Sequence, residues 1–253
     1  MNSLRDYLWT FNCTVNSDRQ DWGITKDSHI TPIGCAEFLN VPNILMVLPP
    51  SENEASQVAH LKRIVWRLTF EKGFDFSREL EGIQSLAQTH SNIEGIIIDD
   101  LSNLEIERDG MQPGHLEKLR HAIHSSQKPL DLWGVFYTMN MDYPLLRDFV
   151  PMLDVITLWT WNSDHLDHLE QNLERCEKLA AGKRILLGIY IYDYHNKKPV
   201  PIPRMQFQCE KAFEWLQQRR LAGMIFLGNT VMDLGFESAA FAQNWIREKY
   251  ERE

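Results

Sequence analysis

Two adjacent carboxylates close an apolar run in GIIIDDL, residues 95–101. Carboxylates set behind three isoleucines are expensive to bury unless they are paired or used. A third, Asp193, stands in GIYIYDYHN (188–196), where tyrosines, a histidine and an asparagine crowd the end of an otherwise strand-like segment. Glycoside hydrolysis uses two carboxyl groups, one donating a proton and the other serving as base or nucleophile across the scissile bond. Asp99 or Asp100 as the acid and Asp193 as the partner would make such a pair. Short aspartates on distant strands would stand well apart, towards the roughly 6.5–9.5 Å of inverting enzymes. The competing reading is structural: one aspartate caps a loop, or pairs with Arg67 across the molecule.

The ends of other apolar runs are also rich in rings and hydrogen-bonding groups. Trp9 and Asn12 close the first, Arg67 the third, Tyr137 and Asn140 the fifth, Trp159 and Trp161 the sixth, Tyr190 and Tyr192 the seventh, and Asn229 the eighth. Pyranose rings offer C–H faces to aromatic rings and hydroxyls to Asn, Asp, Arg and Tyr. These residues are therefore the candidate substrate-binding set, although any single Trp or Tyr also serves as core.

Short apolar runs alternate with amphipathic ones from end to end. Strands are expected at 6–14, 43–50, 64–70, 95–101, 130–138, 155–162, 185–194 and 223–230. Helices are expected at 29–40, 51–63, 76–90, 114–126, 143–153, 164–182, 203–220 and 236–250, the sixth with Ser163 as its N-cap. Eight strand–helix repeats in about 250 residues match a closed (β/α)8 TIM barrel, whose ligands bind where the strands end. An open doubly wound sheet is disfavoured, because no GxGxxG turn follows any strand. No linker or low-complexity tract divides the chain, so residues 1–253 read as one domain. Side chains alternate along a strand, which puts Asp99 on the face of Gly95 and Ile97 and Asp100 on the other. Gly188, Tyr190, Tyr192 and Tyr194 share a face in the same way. Asp193 falls on the opposite face unless the strand end twists.

Composition narrows the partners. A net charge of −9 argues against a nucleic-acid backbone or an anionic membrane, while a neutral carbohydrate fits. The apolar runs are strand-sized, too short to span a bilayer. MNSLRDYLWTFNCTV lacks the pattern of a signal peptide, and four cysteines without CxxC spacing suit a reducing cytoplasm. Of nine histidines only His195 is expected at the mouth, so no metal and no other cofactor is expected. Neither HExxH nor GxSxG occurs. The long loop 101–114 suggests a lid and offers Glu105, Glu107 and Asp109 as substitute acids.

At Ile98-Asp99-Asp100 the chain resembles the strand-four segment of family 18 chitinases, where an apolar strand ends in spaced acidic residues. The glutamate that those enzymes place two residues beyond the last aspartate has no counterpart, since Leu101 and Ser102 stand there. The order IDD, LWTW, GIYIYDY, GMIFLGNT is similar over nearly the whole chain to bacterial glycoside-hydrolase-like TIM-barrel proteins of about this length. That resemblance implies the fold and a connection to carbohydrate, without a transferable activity. Two functions are therefore expected: a cytoplasmic glycoside hydrolase of small oligosaccharides, or a catalytically silent carbohydrate-binding barrel.

Overall fold

The computed structural model describes residues 3–16, 21–70, 75–102, 110–228 and 230–250. The barrel strands are β1 (Leu8–Cys13), β2 (Asn43–Val47), β3 (Arg63–Arg67), β4 (Ile93–Ile98), β5 (Asp131–Tyr137), β6 (Val155–Trp159), β7 (Arg184–Tyr190) and β10 (Gly223–Leu227). All pair in parallel and close in the order β1-β10-β7-β6-β5-β4-β3-β2. The chain folds as a (β/α)8 TIM barrel, as its alternating pattern requires. A two-residue ribbon, β8 (Tyr192–Asp193) with β9 (Lys198–Pro199), sits after β7.

The helices are α1 (Pro32–Leu39), α2 (Glu52–Gln57), α3 (Ser77–Thr89), α4 (Pro113–His124), α5 (Leu146–Phe149), α6 (Leu169–Ala180), α7 (Ile202–Gln217) and α8 (Glu237–Tyr250). Local chemistry trims several below the lengths expected from periodicity. Thr31 caps α1 by accepting from Gly34 N at 3.1 Å, with Pro32 in the first helical position. Pro151 cannot continue α5, which passes into a 3-10 turn over Val150–Met152. The expected sixth helix opens as a 3-10 segment, Ser163–His168, whose cap is Asn162 rather than Ser163. Asn162 Oδ1 accepts from Asp164 N at 2.9 Å, and Ser163 faces Asp193 instead. Among the described residues no helix is long and apolar enough to cross a membrane.

The barrel interior is filled by indoles, and glycines make the room. A Cβ on Gly188 would lie 2.0 Å from the Trp159 ring, and one on Gly95 2.8 Å from Trp133 Nε1. Trp9 meets Trp133 edge-on, with ring centroids 5.1 Å apart, and Arg63 covers Trp9 at 4.5 Å. Arg63 also lies 3.8 Å from Glu94, while Arg184 pairs with Asp131 at 2.6 Å at the strand starts. Charge thus closes the lower end, aromatic rings fill the middle, and the upper end opens.

Candidate active site at the barrel mouth

Asp99 and Asp100 both face the cavity at the upper end. Simple alternation would have separated them, but β4 ends at Ile98, and Asp100 adopts a left-handed backbone with φ of 55°. Aspartate tolerates that conformation better than most residues. The turn brings the second carboxylate round to the side of the first. Asp100 N donates to Asp99 Oδ1 at 3.1 Å, and the Tyr137 hydroxyl donates to Asp100 Oδ1 at 2.5 Å. Burial and the neighbouring Asp100 charge push the Asp99 carboxyl up to about 7, with Arg67 opposing them weakly.

The rest of the wall is aromatic. Trp161 is its hub, half-buried, stacked on Tyr194 at 5.7 Å and 27° and meeting Trp22, Tyr137 and Tyr190 edge-on at 5.1, 5.7 and 5.8 Å. Trp159 and Phe11 close the floor, with centroids 5.5 Å apart. The phenols of Tyr137, Tyr190 and Tyr194 all line the cavity, and Thr230 adds an aliphatic hydroxyl to the lining. Burial holds all three phenols above their ordinary value, so they stay protonated and can both donate and accept. The enclosed volume is about 220 Å³, below the roughly 300–1,000 Å³ of drug-sized sites. A single ring with its substituents matches that scale.

Among the expected site residues, Asp99, Asp100, Arg67, Tyr137, Trp159, Trp161 and Tyr190 line this cavity. Asp193 does not. It is fully buried in the loop after β7, accepting from Ser163 N at 3.0 Å, Ser163 Oγ, Asn196 N at 2.9 Å and Asn196 Nδ2 at 2.9 Å. Burial acts to raise its carboxyl, but those donors outweigh it and hold the group below its ordinary value. Asp193 staples the ends of β6 and β7 and has no access to a ligand in the cavity. Tyr192 turns away with it, stacking on Phe236 at 5.7 Å while its hydroxyl donates to Trp22 O at 3.0 Å. Trp9 lies below the floor against Trp133. Asn12 points outward and is completely buried, and Asn140 sits in the 3-10 turn after β5, outside the lining. His195 is exposed and also outside the lining. Asn229, Glu105, Glu107 and Asp109 lie outside the described residues.

Comparison with known proteins places this geometry on a widely used scaffold. No protein-family model matches the chain, and no curated protein matches it in sequence. Solved structures do match. A Bacteroides thetaiotaomicron protein provisionally assigned as an alpha-L-fucosidase superposes with a TM-score of 0.63 at 9% identity, covering 100% of this chain and 96% of that one. The GH99 endo-alpha-mannosidase of Bacteroides thetaiotaomicron gives 0.58 at 9% identity, with 98% of each chain covered. The aldolase QR15 gives 0.56 at 11% identity over the whole of both chains. These likenesses establish the barrel and leave the chemistry to the site.

At the site the described lining holds two carboxyl groups, one guanidinium and no lysine. A carbonyl-condensing barrel that works through a Schiff base needs that amine. Among the described residues no three His, Cys, Asp or Glu side chains converge as metal ligands. The lining residues outside the expected set include Trp22, Ile24, Tyr194 and Thr230. Trp22 and Ile24 come from the loop after β1, where no strand period marks them. Tyr194 carried a signal, since a period of two puts it on the face of Tyr190, and both line the cavity although Tyr192 between them turns away.

Proposed function

We propose that the chain is a glycoside-hydrolase-like barrel acting on a small carbohydrate, with Asp99 as proton donor and Asp100 as its charged partner. The observation that carries this reading is one carboxyl with raised proton affinity beside a second carboxylate, inside an aromatic cup sized for one ring. A carboxyl near 7 keeps its proton in about half of the molecules at neutral pH, and releases it readily to a departing glycosidic oxygen. Asp100, fixed by Tyr137, supplies negative charge beside the sugar carbon as positive charge develops there. Trp161 and the tyrosines offer ring faces and hydroxyls to orient the sugar and exclude bulk water. The glycosidases among the structural neighbours support this reading only through the fold they share with the aldolase and tryptophan synthase alpha-subunit structures.

A second reading, a silent carbohydrate-binding barrel, draws on one observation. Both cavity carboxyls stand on the β4 side, and the wall opposite them offers hydroxyls and rings among the described residues. The two readings separate in one experiment: a panel of aryl glycosides and short oligosaccharides assayed with wild type, Asp99→Asn and Asp100→Asn, with binding followed by calorimetry. Hydrolysis means turnover that Asp99→Asn abolishes while binding persists. Binding without turnover in any of the three proteins selects the silent barrel.

A further inference from the structure

Arg67 carries the only cationic group in the described lining of the cavity, and no hydrogen bond or ion pair from a described residue answers it. Its Nε is fully buried with no hydrogen-bond partner, and its guanidinium makes no hydrogen bond or ion pair with any described residue. Buried charged donors left unsatisfied are costly, and arginine has five N–H donors and no acceptor. The neighbouring aspartates do not serve it. The Asp99 Oδ1 takes the Asp100 N–H and the Asp100 Oδ1 takes the Tyr137 hydroxyl, and neither carboxylate lies within ion-pair distance of Arg67.

We infer that Arg67 anchors a carboxylate on the ligand, so that the sugar this site takes is an acidic one of the uronate class. The inference rests on the carbohydrate reading above and names its substrate class. A planar fork of donors matches a carboxylate at two oxygens, whereas a neutral hydroxyl answers one donor. The charge balance supports a single added negative charge. With the Asp99 proton in place, Arg67 and Asp100 offset each other, and a uronate meets a guanidinium that no protein oxygen has claimed. A phosphate would bring nearly two charges towards Asp100. An ammonium sugar would face Arg67 without a counter-charge of its own. Arg67 draws the Asp99 carboxyl down only in part, and burial with the Asp100 charge still holds it up.

The test is calorimetric titration of the full chain at pH 6.5 with glucuronate and galacturonate, their neutral parents glucose and galactose, and glucose 6-phosphate. Wild type, Arg67→Lys and Arg67→Gln are compared, each checked for folding by circular dichroism. The expected result is that wild type binds a uronate roughly 10- to 100-fold more tightly than its parent. Arg67→Gln then abolishes that preference, and Arg67→Lys keeps part of it. Neutral sugars bound as tightly as uronates, a sugar phosphate bound more tightly than either uronate, or a preference surviving in Arg67→Gln each overturns the assignment alone. Binding of no sugar at all overturns the carbohydrate reading with it.

Discussion

Asp99→Asn should make the protein more stable at alkaline pH while removing the proposed proton donor. In the unfolded chain the Asp99 carboxyl titrates near its ordinary 3.8, and in the fold it titrates near 7. Between those values the native state holds a proton that the unfolded state lacks, so stability falls as pH rises through the window and is level outside it. At about 1.36 kcal/mol per pH unit the rise sets a ceiling of about 4 kcal/mol on the loss. Partial access through the cavity lowers the realised figure, and about 2 kcal/mol is the working expectation. The asparagine stays neutral throughout, and its carbonyl can still accept the Asp100 N–H. Urea unfolding of both proteins at pH 4.5, 6, 7 and 8 isolates the Asp99–Asp100 carboxyl pair, because titrations elsewhere are common to both proteins. The curves should converge at pH 4.5 and diverge with rising pH, the variant being the more stable at pH 8. Parallel curves, or a wild type more stable than the variant at pH 8, would refute the account of Asp99 and with it the basis for its acid role.

Three further outcomes follow from other contacts. Gly188→Ala drives a methyl to 2.0 Å from the Trp159 ring, which is held by an indole N–H donated to Thr157 Oγ1 at 2.9 Å. It should destabilise by about 3 kcal/mol in urea unfolding and be largely rescued by Trp159→Leu, and a neutral single variant would show that the barrel has slack there. Asp193→Asn should cost about 2 kcal/mol or more, since an amide nitrogen cannot accept from Ser163 or Asn196. Because its folded carboxyl is held below 3.8, the stabilisation from Asp193 is present above that pH and lost as pH falls beneath it. Ligand affinity of the folded Asp193→Asn protein should match wild type, and a selective loss of affinity would return Asp193 to the site. Tyr137→Phe removes the hydroxyl donated to Asp100 and should lower kcat/KM about 10-fold with little change in unfolding. An unchanged kcat/KM and pH profile would remove Tyr137 from the chemistry.

The fold was legible because its signals are local and repeated. Each barrel strand is a largely apolar run of five to seven residues, and stops such as Pro151 or the left-handed Ala181 and Gly182 after α6 end some of the intervening helices. The shared face of Gly95 and Asp99 in GIIIDDL was also legible. Gly95 faces the barrel interior beneath Asp99, because the Trp133 indole fills the space its side chain would need. Reading failed where strands end. A period of two holds only while the ladder holds, and β7 stops at Tyr190, so Tyr192, Asp193 and Tyr194 are aimed by a two-residue ribbon and the Asp193 hydrogen bonds. Aromatic type could not separate Trp9, below the floor, from Trp161, at the mouth, since both are indoles at a strand end. Their heights are set by register against β10 and β2 and by the backbone beyond β6.

The departure from alternation at Asp100 has a chemical consequence. With φ at 55° the chain turns its second carboxylate to the side of the first, so acid and charge approach a bound ring from one wall. A base placed across the ring, as Asp193 was expected to be, is then not available from β7. The opposite wall instead presents Tyr190 and Tyr194, whose phenols are kept protonated by burial, and the Thr230 hydroxyl. Such groups orient a water or a substituent of the ring but do not take its proton at neutral pH. Among the described residues a hydrolytic step in this cavity draws its base from the β4 side, after the leaving group has taken the Asp99 proton and left a carboxylate behind. That ordering predicts a rate that falls as pH rises through about 7, when Asp99 enters the reaction already deprotonated. A profile of kcat/KM that is flat from pH 6 to pH 8.5 on any accepted glycoside would break the link between the carboxyl on β4 and bond cleavage.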